Sequence, residues 1–116
     1  MPVIAAPNQL VVMFTVTPGM LDPLGNLSMG FILTLTDCVT SRAARIDNQN
    51  LKTVSVTLEA KMGKSRRVVV GQVMYGRGNT DFINDNLVMG SFFFQERNGE
   101  KLDYWTGSHT MSIVKN

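Results

Sequence analysis

Cysteine and histidine are almost absent: 116 residues contain one of each, Cys38 and His109. An internal disulfide is therefore excluded, and a structural zinc site, which needs several Cys or His ligands, has no donors. Charge is sparse as well. Charged residues make up 17% of the chain, below the roughly 25% of an average soluble protein, so part of the surface is expected to be covered. A formal net charge of +2 is too slight to argue for nucleic acid by itself. No run of about 18 apolar residues is present, and the start is not a basic stretch followed by an apolar one. Neither a membrane span nor a secretory signal is expected. The length suits a single domain over 1–116.

What the sequence does have is apolar residues in short, strand-like runs. Residues 10–16 (LVVMFTV) are β-branched and apolar and end at Pro18 and Gly19, which predicts a strand, a turn and a loop to residue 26. From 27 to 35 the apolar residues Leu27, Met29, Phe31, Leu33 and Leu35 fall on every second position, the period of a half-buried strand. Residues 40–48 read as one helical turn or an irregular connection. Val54, Val56, Leu58 and Ala60 alternate with Ser55, Thr57, Glu59 and Lys61, and a second run from Arg66 to Tyr75 follows the turn at Gly63, predicting a β-hairpin. Residues 76–86 are Gly- and Asn-rich and read as a loop. Residues 87–96 and 100–106 flank Asn98-Gly99, a strong hairpin signal, and His109 to Val114 can form a last strand. The expected fold is all-β, an antiparallel meander of about six to seven strands with at most one short helical turn.

Motifs for catalysis are missing. Cys38 and His109 show no spacing that makes them a nucleophile and base, and the plainer readings are a small buried hydrophobe and a surface histidine. Asp81 and Asp85 lie four apart in an Asn-rich loop, where Asx turns account for them, and the pattern of a calcium loop is absent. Gly76-Arg77-Gly78 opens no helix and reads as a turn. No enzyme activity, metal, cofactor or small-molecule substrate is expected.

One charge feature stands out. Lys61, Lys64, Arg66 and Arg67 put four cations within seven residues at the expected hairpin tip. With a two-residue loop, Lys61 pairs with Arg66, Thr57 with Val70 and Ser55 with Gln72. The face then continues through Thr57, Ser55, Thr53 and Gln72, hydrogen-bonding groups suited to phosphates, sugars and bases. Glu59 on the same face opposes that. In the second hairpin Phe93 faces Tyr104 and Phe92 faces Trp105 on opposite sides, so one aromatic face is expected to be covered by another copy of the chain or by a partner.

The stretch 51–75 (LKTVSVTLEAKMGKSRRVVVGQVMY), followed by 87–95 (LVMGSFFFQ), resembles the coat proteins of single-stranded RNA bacteriophages. That family builds a continuous sheet from paired subunits and binds RNA on its inner face. The C-terminal segment departs from the family, which closes with two helices where residues 100–116 read as strand. The resemblance implies a non-enzymatic coat protein of the virion that dimerises, self-assembles into a capsid and packages single-stranded RNA. Its implied RNA contacts are Lys61, Arg66, Thr57, Ser55, Thr53, Gln72, Lys64 and Arg67, and its contacts between copies are Phe92, Phe93, Tyr104 and Trp105. Two alternatives stay open: a single-stranded nucleic-acid-binding barrel stacking bases on Tyr75, Phe93 or Tyr104, and a module that accepts a protein strand at a sheet edge.

Overall fold

The computed structural model describes residues 2–46, 48–64 and 67–115. Six strands form one antiparallel sheet: β1 (Pro2–Ala6), β2 (Gln9–Thr15), β3 (Thr53–Met62), β4 (Val73–Ile83), β5 (Leu87–Gln95) and β6 (Lys101–Ile113). Their order is β1-β2-β4-β5-β6-β3, so β3 leaves the chain order to become an edge strand beside β6. A short 3₁₀ turn (Pro18–Met20) leads to a 17-residue helix, α1 (Met29–Arg45), which lies across one face.

The expectation of a mainly antiparallel β protein holds, and that of at most one helical turn does not. Residues 29–35 are the start of α1, not a strand. Ser28 caps it, its Oγ accepting the Phe31 amide at 3.2 Å. Along α1 the buried residues Ile32, Thr36, Val39, Thr40 and Ala43 follow helical spacing. The alternation that looks like a strand comes from the helix having two apolar flanks: Met29 and Leu33 on one side, Phe31 and Leu35 on the other.

The expected hairpin from β3 into residues 66–75 is replaced by pairing of β3 with β6, Lys61 opposite Thr106 and Thr53 opposite Ile113. Residues 76–83, expected as loop, are the body of β4. Their glycines are a packing device. An added Cβ at Gly78 would lie 2.6 Å from Val39 Cγ1, at Gly90 3.0 Å from Thr40 Cβ, and at Gly107 2.6 Å from Thr36 Cγ2. Three adjacent strands thus drop their side chains where the helix sits, and α1 closes directly onto the backbone.

The core between sheet and helix is aromatic. Phe92 and Phe94 meet edge to face at 5.1 Å, and Phe94 lies 5.5 Å from Tyr104. Such pairs add about 0.5–1.5 kcal/mol each beyond the area they bury. Three residues expected between copies belong here instead: Phe92 and Tyr104 are 1% exposed and Trp105 4%. The reason is the turn at 96–99. The Gly99 amide bonds the Glu96 carbonyl at 2.9 Å, and only Gly99 takes a positive φ (95°), so Asn98-Gly99 is not a two-residue type I′ turn. Phe93 then pairs with Thr106, and Phe92 with Gly107. Phe93 alone of the four faces outward, with Lys101 Nζ 5.3 Å and Arg77 5.9 Å from its ring centre.

Candidate functional site

At the β3 edge, side chains of β3, β6 and α1 meet around one imidazole. His109, on β6, is 1% exposed and so is not a surface histidine. Two residues before it, Gly107 admits Thr36, and the next turn of α1 then carries Thr40 to the imidazole. Two residues of strand advance about 6.8 Å and four of helix about 6 Å, so the spacings match.

The hydrogen bonds assign the tautomer. Thr40 Oγ1 donates its only proton to the Thr36 carbonyl at 2.6 Å, so towards His109 Nδ1, 2.8 Å away, it can only accept. Nδ1 therefore carries the proton. Burial lowers the His109 pKa below its ordinary 6.5, against an opposing pull from Asp37, so the ring is neutral near pH 7. Nε2 is left as an acceptor, and Ser55 Oγ donates to it at 2.7 Å.

Asp37, on α1, places Oδ1 3.8 Å from the same Nε2, and its side chain is 49% exposed. Ser55 is exposed too. A hydroxyl tied to a neutral imidazole beside an accessible carboxylate is an arrangement for moving a proton, with Thr40 fixing the ring.

Ser55 reaches this point through a β-bulge. It pairs with Met111 and Thr57 with Thr110, so Val56 is an extra residue between adjacent rungs. Thr53 and Ser55 therefore share the helix side with Met111, where Thr53 Oγ1 lies 3.5 Å from its sulfur. Thr57, Glu59 and Lys61 face the opposite side.

The proposed RNA face is accordingly not assembled. Lys64 donates its backbone N–H to Asp103 at 3.3 Å, and the Arg67 guanidinium lies over the turn at Gly25. Gln72 accepts from the Val69 amide in the turn before β4, remote from β3. Arg66 lies outside the described residues.

A groove runs along the α1 flank that carries Asp37. Met29 and Leu33 of the helix and Leu58 and Ala60 of β3 form its apolar lining, Glu59, Lys61, Thr106 and Ser108 its polar part, and its volume is about 490 Å3. Asp37 follows Leu33 one turn further on. On the other flank, Cys38 is exposed, and no bond or ion pair joins it to His109.

The serine and the aspartate were missed because neither stands in a local motif. The signal that was available is the lone His109 two residues after Gly107, in a chain with one histidine.

No protein-family model matches this chain, and no curated protein does. Solved structures do. Zebrafish thioesterase superfamily member 2 is similar over 97% of this chain and 80% of its own, with a TM-score of 0.83 and 19% identity. A hypothetical thioesterase of Streptococcus pneumoniae, solved with coenzyme A, is similar over 100% and 86%, with a TM-score of 0.80 and 16% identity. A Streptococcus mutans protein bound to acetyl-CoA gives 99% and 88%, 0.79 and 16%.

The fold is thus the hot-dog arrangement that these neighbours share, a helix wrapped by an antiparallel sheet. The chain resembles these proteins in fold, at identities of 16–19%. The coat-protein resemblance is overturned by this likeness. With it go the capsid, the virion, the RNA partner and the expectation of no enzyme and no small-molecule substrate.

Proposed function

We propose that this chain hydrolyses acyl thioesters of the coenzyme A type. The observation that carries the reading is the convergence of Asp37 and Ser55 on one buried imidazole nitrogen at the open β3 edge, at 3.8 and 2.7 Å. The thioesterase fold, and the coenzyme A and acetyl-CoA held by two neighbours, support the substrate class.

The acyl group lies in the groove between Leu33 and Leu58, which brings the thioester carbonyl to Asp37. The Asp37 carboxylate takes a proton from a water molecule as its oxygen attacks the carbonyl carbon. Ser55 keeps its proton and points it at His109 Nε2 in a hydrogen bond, so its oxygen lone pairs are free to accept from that water and hold it in line. Collapse of the tetrahedral intermediate breaks the C–S bond. The proton on Asp37 passes to the leaving thiolate, leaving a carboxylic acid, a free thiol and the original carboxylate.

A second reading is favoured by the 2.7 Å Ser55–His109 contact: Ser55 attacks directly, with His109 as base and Thr40 as its orienting group. The test of hydrolysis is common to both. The purified chain is given acetyl-CoA and a longer acyl-CoA, and free thiol is followed with a chromogenic disulfide. Release by the wild type, reduced by about 10²–10⁴-fold in Asp37→Asn, is the expected result. No release above the uncatalysed rate, with either ester, would overturn the proposal.

A further inference from the structure

The flank of α1 away from Ser55 borders a second cleft, between the helix and β2. Val12, Phe14, Met20, Phe31, Leu35 and Val39 line it, and its volume is about 540 Å3, within the range of small-molecule sites. Phe14, Met20, Phe31 and Leu35 are only partly buried, so the core leaves apolar surface open there. Between Phe31 and Val39 the helix advances about 12 Å, which sets the length of the apolar wall.

The cleft ends on cations. Arg42 and Arg45 line it beyond Val39; both are exposed, and neither makes an ion pair among the described residues. Cations in the last turn of a helix suit its dipole, which accounts for their sign. It does not account for an apolar trough that runs up to them. Asp37 also borders the cleft, its Oδ1 3.5 Å from Ser41 Oγ, and its single negative charge leaves the two guanidinium groups in excess there.

From this charge complementarity we infer that the cleft binds a medium-chain carboxylate. The alkyl chain lies along Phe31, Leu35 and Val12, and the carboxylate is held by the Arg42 and Arg45 guanidinium groups, whose fork geometry matches it. The inference stands on the cleft alone and does not need the hydrolase reading.

Isothermal titration of the whole chain with sodium octanoate, below its micelle concentration, tests this against 1-octanol as the uncharged control. Octanoate is expected to saturate one site and to bind more tightly than octanol. Replacing both arginines (Arg42→Gln with Arg45→Gln) is expected to weaken octanoate by about tenfold or more, the loss of a charged hydrogen-bond pair, and to leave octanol unchanged. Methyl chemical shifts on the wild type fix the place without any variant. Movement of Val12, Leu35 and Val39 supports the cleft, whereas movement of Leu33 and Leu58 assigns the ligand to the other groove and overturns it. Equal binding of octanol and octanoate, or no saturation, overturns it too. Octanoate saturation by a chain that releases no thiol, or thiol release by a chain that does not bind octanoate, separates this result from failure of the hydrolase proposal.

Discussion

The Tyr104 hydroxyl accepts the Leu27 amide proton at 3.0 Å while the neighbouring Trp105 indole donates to the Leu27 carbonyl at 3.2 Å. Two successive residues of β6 thus hold both backbone groups of the residue before the α1 cap, inside the core. Tyr104→Phe keeps the ring and leaves the buried Leu27 amide unpaired. It is expected to cost about 1–3 kcal/mol in urea unfolding, with an unchanged slope.

His109 makes stability depend on pH in a defined direction. Its folded pKa lies below 6.5, so the unfolded chain takes up a proton first as pH falls. The stability it contributes is complete above about pH 6.5 and is lost as pH falls through the lowered folded value. A thermal midpoint that drops across that window in the wild type, and stays flatter in His109→Gln, is the expected outcome. Loss of thiol release at acid pH should follow the same group, because a protonated Nε2 no longer accepts from Ser55.

The two readings of Ser55 differ in a covalent intermediate. With water as the attacking group, no acyl adduct accumulates on the chain, and Ser55→Ala loses less activity than Asp37→Asn. Rapid-quench mass spectrometry of the whole chain with acyl-CoA checks this. An adduct of acyl mass that disappears in Ser55→Ala assigns the nucleophile to the serine.

Gly107→Ala places a methyl group against the Thr36 side chain, 2.6 Å from Cγ2. Overpacking of this kind costs about 1–3 kcal/mol. Because Thr40 is carried on the next turn, the same change is expected to lengthen its bond to His109 Nδ1 and reduce activity beyond the loss of stability. The double variant with Thr36→Ala should recover part of both, which a coupled cycle of unfolding and rate measurements reads directly.

Much of the sheet was legible from residue order: the alternation in β3 and the apolar runs of β2 and β5 are strand signals, and strands formed there. α1 was hidden because Met29, Phe31, Leu33 and Leu35 fall on alternate positions, which a helix with two apolar flanks and a strand both produce. β4 was hidden because Gly76, Gly78 and Asn79 are turn residues by type. Here the glycines exist for contact with Phe92 and Val39, and contact across the fold leaves no local trace. Of the site, Ser55 and His109 were legible only singly and in other roles, and Asp37 not at all. Asp37, Ser55 and His109 come from three elements, and the pairing of β3 with β6 that unites them skips two strands in sequence.

The extra residue at Val56 is, in effect, a change of parity. From Thr57 onward the odd positions of β3 look away from the helix, while Thr53 and Ser55, also odd, look towards it. Deleting one residue from the middle of a strand ordinarily turns half of it inside out. Here, removing Val56 leaves Ser55 opposite Met111 and Thr57 opposite Thr110, with each side chain on its present face, so this strand can lose a residue and keep its serine at the imidazole.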